Sequence, residues 1–472
     1  MRGHTVVLDV GKTLSKLTLW APDGSLVARR TRQNARIRSS SYLTLDTDGI
    51  EKWLASTLGE FATMARICAI IPVAHGAAVA MIRADALLHP PLDYEQLMPS
   101  PERQRYDEGR DVFACTGSPA LPDGLNLGAQ LHLLQVTGPE AFEPGTVLLT
   151  WPQYWAWLLC GVPACEMTSL GCHTDLWCPA SSEFSPMATR RGWAQMFAPL
   201  RRADECLGCI TPQWAASTGL PSDVRIHCGL HDSNAALAAC QGYAEIEGRE
   251  FTVLSTGTWF IAMRSPRISA DLHLGELPEK QDCLVNVDPM GQPVPSSRFM
   301  GGREIENLLG NDTHGIEVAA DQSALLTGAI EAVQNGTKLL PTFAPGCGPF
   351  PHIQGRWVNK PASDAERRAA ISLYAALVAD TSLDLIGSRE RLLIEGRFAE
   401  ATVFTRALAS LRPETSVFVT NAQNDVSYGA LRTIDPGLSQ QHSLALVAPL
   451  NMDLESYRTA WRKEIERLEP YA

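Results

Sequence analysis

A glycine-turned hairpin occurs twice in this chain, half a chain apart: Val6-Val7-Leu8-Asp9-Val10-Gly11-Lys12-Thr13, and later Val253-Leu254-Ser255-Thr256-Gly257-Thr258. Each joins an apolar strand to a second apolar run, Leu17-Thr18-Leu19-Trp20 or Trp259-Phe260-Ile261-Ala262-Met263, through a short turn of Gly and hydroxyl residues. Such a turn presents backbone N–H groups and side-chain donors to an anion. Two of them facing each other would clamp a phosphate. Either turn alone is an ordinary Gly/Thr hairpin; the recurrence is what ties the pair to one plan used twice.

A chain of 472 residues is too long for one core. The repeat therefore predicts two large domains, 1–244 and 245–472. A net charge of -12 argues against nucleic acid or an anionic membrane as partner, since both need clustered Lys and Arg. The start of the chain runs straight into a strand without a leader-like segment, and no run of about 18 apolar residues would span a membrane. The twelve Cys are dispersed, which fits a reducing cytoplasm. Cys206-Leu-Gly-Cys209 has no second CxxC and reads as inert thiols. Cys160, Cys165, Cys172, His173 and Cys178 match no zinc spacing, so no metal is assigned to them.

Residues 5–10, 15–20 and the run from Leu26 onward read as three antiparallel strands, followed by a helix near 48–65 and a buried strand over 65–73. Continued alternation of strands and helices places the chain in the α/β class. Residues 85–130, rich in Pro, Gly and charge, read as an insertion lining a cleft; 146–160, apolar and Trp-rich, reads as a packed helix. In the second half, helical patterns cover 317–335, 364–387, 399–411 and 454–468, with strands over 391–396 and 416–420.

Asp232, in Gly229-Leu230-His231-Asp232 just before a helical run, stands at a helix N-terminus, where unpaired N–H groups favour an ionised carboxylate. Such a carboxylate can accept the proton of an attacking hydroxyl, or simply cap the helix. Asp9 ends an apolar strand beside the first glycine turn, where it either holds Mg²⁺ through water or shapes the turn. Lys12 and Lys16 flank that turn and would neutralise phosphate charge or remain solvated.

In this order the segments resemble the FGGY carbohydrate kinases, of the larger group that includes actin and hexokinase. Asp9-Val-Gly11-Lys12-Thr13-Leu-Ser15-Lys16 resembles their first phosphate motif, and Ser255-Thr256-Gly257-Thr258-Trp259 the second. Gly229-Leu-His231-Asp232 is similar to the segment carrying their catalytic base, in the form found in L-fuculose and L-rhamnulose kinases. Arg298-Phe-Met-Gly301-Gly302-Arg303-Glu304 and Tyr428-Gly429-Ala430 fit the same branch. The chain departs from the family at Lys12, where Thr is common, and at Glu395-Gly396-Arg397-Phe398, where a run of glycines is common.

The resemblance implies two actin-like (ribonuclease H-like) ATPase domains around a central cleft, with ATP and Mg²⁺ as cofactors and Asp9 as the metal residue. Gly11, Lys12, Thr13, Ser15, Lys16, Thr256, Gly257 and Thr258 would meet the ATP phosphates, and Gly396, Arg397 and Phe398 the adenosine. His75, Gly76, Gln130, Thr168, His231 and Asp232 would meet the sugar. Of Trp151, Trp155, Trp157 and Trp177, some would stack on sugar and the others pack the core. The implied reaction is ATP-dependent phosphorylation of a ketose at a primary hydroxyl, a 6-deoxyketose favoured, with Asp232 as base. A pentulose or tetritol kinase of the same fold, and a non-catalytic sugar-responsive ATP-binding protein, are the alternatives. The partners are a small-molecule sugar and ATP in the cytoplasm, with no nucleic acid or membrane, and a homodimer is an allowed assembly.

Overall fold

The computed structural model describes residues 3–39, 42–267, 274–310, 316, 322–420, 426–440 and 442–468. The chain divides into two compact units. The first comprises Met1–Gly242 with Val285–Pro293 and Asn424–Gln440, and the second Tyr243–Leu284, Val294–Gln423 and Gln441–Ala472. Two later segments thus join the first unit.

In the first unit, His4–Val10, Leu14–Trp20 and Leu26–Gln33 form an antiparallel meander. On the other side of His4–Val10 runs the parallel strand Ile67–Ala74, which in turn pairs in parallel with Arg225–His227 and Leu230–His231. The near-continuous apolar run of Ile67–Ala74 suits a central strand covered on both faces. Helix Thr47–Met64 is N-capped by Asp46, whose side chain accepts from Gly49 N–H, and it buries Ile50, Leu54, Leu58 and Phe61 among the sheet residues Val6, Leu8 and Ile70.

The second unit repeats the plan. Phe251–Thr256, Phe260–Ser265 and Pro293–Phe299 form the meander; Arg391–Gly396 lies parallel to the first strand, and Ser416–Val419 parallel to Arg391–Gly396. Helix Asp364–Leu385, capped by Ser363, packs Ala370, Leu373 and Leu377 in one core with Leu254 and Ile394.

Most expected elements lie where their apolar spacing places them. The stretch 146–160 is instead a strand, Val147–Thr150, followed by helix Trp151–Cys160. Pro152 explains the break, because proline fits a first helical turn but not an interior. The insertion contains helices Ser100–Gly109 and Phe113–Thr116. Of the pattern at 317–335, Gln322–Gln334 is helical, and residues 317–321 lie outside the described residues. The helix expected from 399 starts at Thr402.

Candidate active site

Parallel strands carry their loops to one edge, and three of those loops meet in the first unit. Val10 pairs with Ala74 and Ala74 with His231, so the Gly11 turn, His75-Gly76 and Asp232 leave the sheet side by side. Asp232 opens helix Asp232–Cys240, and its Oδ1 accepts from Ser233 N–H at 2.6 Å and Ser233 Oγ at 3.2 Å. The carboxylate is part-exposed, with 30% of the side chain accessible.

His231 Nε2 lies 3.2 Å from Asp232 Oδ1 and 3.1 Å from Cys172 Sγ. Asn234 Nδ2 stands 3.4 Å from His231 Nδ1, and an amide donor there leaves the ring proton on Nε2, facing the carboxylate. Burial holds the His231 imidazole below its ordinary range, so it is neutral at pH 7. Its backbone N–H donates to Thr168 Oγ1 at 3.0 Å, and that hydroxyl donates to the buried Glu166 at 2.5 Å. Of the residues expected at the sugar, Thr168 is fully buried with its hydroxyl between Glu166 and His231 N–H, and His231 is turned toward Cys172, Asn234 and Asp232. Gly76 serves space: a Cβ there would come within 2.7 Å of Cys172 Sγ and 3.0 Å of His231 Nε2.

A cavity of about 400 Å³ adjoins this edge, lined among others by Gly11, Lys12, Thr13, His75, Asp93 and Trp151. His75 stands edge-on to Tyr94, ring centroids 5.7 Å apart, and burial lowers its pKa, which Asp232 counters in part. Gln130 is buried and donates its amide to Ala77 O and Gly124 O, while its Oε1 has no protein partner. Among the four tryptophans, Trp151 lines the cavity, and Trp155, Trp157 and Trp177 sit in hydrophobic cores.

In both hairpins the glycine N–H closes the turn: Gly11 N–H donates to Leu14 O at 3.1 Å, and Gly257 N–H, in a turn one residue shorter, to Trp259 O at 3.0 Å. Thr13 and Thr258 are exposed. Ser15 and Thr256, expected at the phosphates, face inward. Ser15 Oγ donates to Asn34 Oδ1 at 2.9 Å; Thr256 Oγ1 donates to Glu395 O at 2.5 Å and accepts from Phe398 N–H at 3.0 Å. Both hydroxyls thus brace the turns from behind. Lys16 Nζ lies 3.1 Å from Asp9 Oδ2, directly across the strand pair, and Lys12 is ion-paired with Asp93. Among the described residues no three His, Cys, Asp or Glu side chains gather to hold a metal. Cys165 bonds Ala198 O, Cys172 faces His231 and Cys178 faces Cys115, so the Cys160–Cys178 stretch is dispersed.

In the second unit, Gly396 pairs across to Thr256, and Arg397 is ion-paired with Glu306 at 2.9 Å. Phe398, expected at the adenosine, is 1% exposed and packs against Phe260 with ring centroids 5.3 Å apart. Asp93, Tyr94, Glu166, Cys172 and Asn234 join this edge without having been expected there. Only Asn234, three residues after His231 at a helix start, carried a signal, because that spacing places the two on one face.

A strand plan used twice, with a carboxylate at the start of a helix beside a glycine turn, defines a phosphotransferase of the actin-like ATPase class. The residues 248–442 match the family model described as Carbohydrate kinase FGGY, C-terminal domain. The crystal structure of a carbohydrate kinase from Novosphingobium aromaticivorans is 51% identical over 99% of both chains, with a TM-score of 0.96. The chain belongs to the FGGY carbohydrate kinase family and is an ATP-dependent sugar phosphotransferase with two actin-like domains. Xylulose kinase from Rhodospirillum rubrum (16% identity, 99% of both chains, TM-score 0.78) and Plasmodium falciparum glycerol kinase with ADP (13%, 98% of both chains, 0.78) share the fold. No curated protein matches the chain. No helix among the described residues is long and apolar enough to cross a membrane.

Proposed function

We propose that the protein transfers the γ-phosphoryl group of ATP to a primary hydroxyl of a ketose, with Asp232 as general base. The observation that carries this reading is the part-exposed Asp232 carboxylate, ordered by Ser233 and flanked by a neutral His231. In the step, the sugar hydroxyl gives its proton to Asp232 while its oxygen attacks the γ-phosphorus. The bond from that phosphorus to the bridging oxygen breaks, and ADP leaves. Such transfer depends on positioning and charge neutralisation more than on covalent chemistry.

Thr13 and Thr258 offer exposed turn hydroxyls for the phosphates, Gly11 and Gly257 close the turns that present them, and Lys16 supplies charge. Mg²⁺ is commonly held by one or two carboxylates with water and phosphate completing its shell, so the single carboxylate Asp9 fits it, given that Lys16 yields. When bound, the ion neutralises phosphate charge. Gly396 and Arg397 are the residues left to meet adenosine. The dispersal of the twelve cysteines along a large chain suits a cytoplasmic setting.

For the acceptor we favour a 6-deoxyketose. Val10, Leu45, Ile50 and Trp151 give the cavity an apolar wall suited to a terminal methyl. One buried methyl is worth about 1 kcal/mol, so it should improve efficiency only about tenfold. Hydroxyl stereochemistry should weigh more, because an unpaired buried polar group costs about 1–3 kcal/mol. In a ketose and polyol panel read by ADP release, L-fuculose or L-rhamnulose is expected to give the highest kcat/KM, with matching pentuloses weaker. A clear preference for D-xylulose, glycerol or a tetritol would contradict this choice of acceptor while leaving the kinase assignment standing.

A further inference from the structure

Lys12 follows the phosphate-type glycine, yet its charge is drawn into the cavity wall. Its Nζ is ion-paired with Asp93, lies 3.9 Å from Glu95 Oε2 and sits 4.5 Å from the centroid of the Tyr94 ring. The pair is secluded, with 13% of the Lys12 side chain and 5% of the Asp93 side chain exposed. Tyr94 in turn stands edge-on to His75, so Lys12, Asp93 and Tyr94 form one cluster beside the cavity. Asp93 Oδ1 takes Lys12 and the Glu95 N–H, whereas Oδ2 and the Tyr94 hydroxyl have no protein partner among the described residues.

We propose that Lys12 and Asp93 act as a hydroxyl-reading pair in the acceptor subsite and set which sugar is accepted, rather than serving the ATP phosphates. An ammonium has three donors and one is committed to Asp93, so two remain for sugar oxygens. Asp93 Oδ2 accepts from a neighbouring hydroxyl. A donor and an acceptor locked side by side match adjacent hydroxyls of fixed stereochemistry and reject a ligand lacking either, because the buried partner is then left unpaired. Burial also lowers the Lys12 pKa, as expected of a group withdrawn from solvent. The cavity's charged lining carries Lys12 and Arg36 against Asp46, Asp93 and Glu95, and Arg36 is itself ion-paired with Glu95. No unpaired cation in this lining is left for a carboxylate. The acceptor class is therefore an uncharged ketose or polyol, and an aldonate such as gluconate is excluded.

The inference rests on Asp232 being the base for a sugar acceptor, and its test separates the two. Lys12→Met, Asp93→Asn and the double variant, which removes both charges together and so leaves no buried charge unpaired, are compared with wild type on the best sugar of the panel. The expected result is a rise of tenfold or more in sugar KM for all three, with ATP KM within about twofold and no turnover of gluconate. A rise in ATP KM with sugar KM unchanged in Lys12→Met would return Lys12 to the phosphates and overturn the proposal. Unchanged constants for both substrates, or ready turnover of gluconate, would overturn it as well. Should wild type turn over no panel member, the ketose reading fails on its own. Ligand-induced thermal stabilisation by the same panel then judges the pair: weaker stabilisation of Lys12→Met supports it, and equal or absent stabilisation overturns it.

Discussion

Glu166 shows how much of this sheet edge is held by buried groups. It is completely buried; its Oε2 accepts from Thr168 N–H, Thr168 Oγ1 and Ser169 N–H, while Oε1 has no partner. Burial outweighs those hydrogen bonds and raises the carboxyl to about 7. A folded-state pKa above the unfolded value means that stability is fully present below about pH 4.5 and is lost as pH rises toward 7. The loss is on the order of 3 kcal/mol. Glu166→Gln keeps an acceptor for Thr168 and removes the titration. Urea unfolding of both proteins at pH 5 and pH 8 should show wild type losing ground to the variant at the higher pH. A difference independent of pH would contradict this account of Glu166.

At the scale of elements, the helix that carries Asp232 is placed by another helix. Val426–Ile434 crosses Asp232–Cys240 so closely that a Cβ on Gly429 would lie 1.7 Å from Ala235 O, and Tyr428 packs on Trp20 beside the contact. Gly429→Ala must push the helices apart, at a cost of about 1–3 kcal/mol or more. A lowered urea midpoint together with reduced kcat is expected, since the displaced helix begins at Asp232, the proposed base. Wild-type stability and turnover in that variant would show that the close approach is immaterial. The elements were legible because apolar runs and glycine turns are local signals, and the repeat of Gly11 at Gly257 exposed the duplicated plan. Direction of side chains at the turns was not legible. Ser15, Thr168 and Thr256 carry the right hydroxyls, yet Asn34 and Glu395 claim the first and last from distant parts of the chain, and Glu166 claims Thr168 from two residues away. Phe398 follows the adenosine-type glycine, but Phe260 and Phe404 belong to the same core and absorb it. Lys12 reads as a phosphate ligand until Asp93, brought from another loop, is seen beside it.

For the whole molecule, the two units use one strand order but carry different chemistry. The position that holds Asp9, two residues before Gly11, holds Ser255 two residues before Gly257, and Asp232 opens a helix of the first unit. In the proposed reading the first unit binds the sugar and supplies the metal carboxylate, the base and one phosphate turn, and the second supplies the other turn and the adenosine contacts. The central claim is that Asp232 moves a proton and takes no part in holding ATP. The direct measurement is the single-turnover phosphorylation rate of Asp232→Asn with its preferred sugar, alongside ATP affinity by titration calorimetry. Removing a general base typically costs about 10²- to 10⁴-fold, so a loss of at least a hundredfold in rate with ATP affinity within about twofold is predicted. A variant that phosphorylates sugar at close to the wild-type rate would contradict the claim and leave Asp232 as a helix cap.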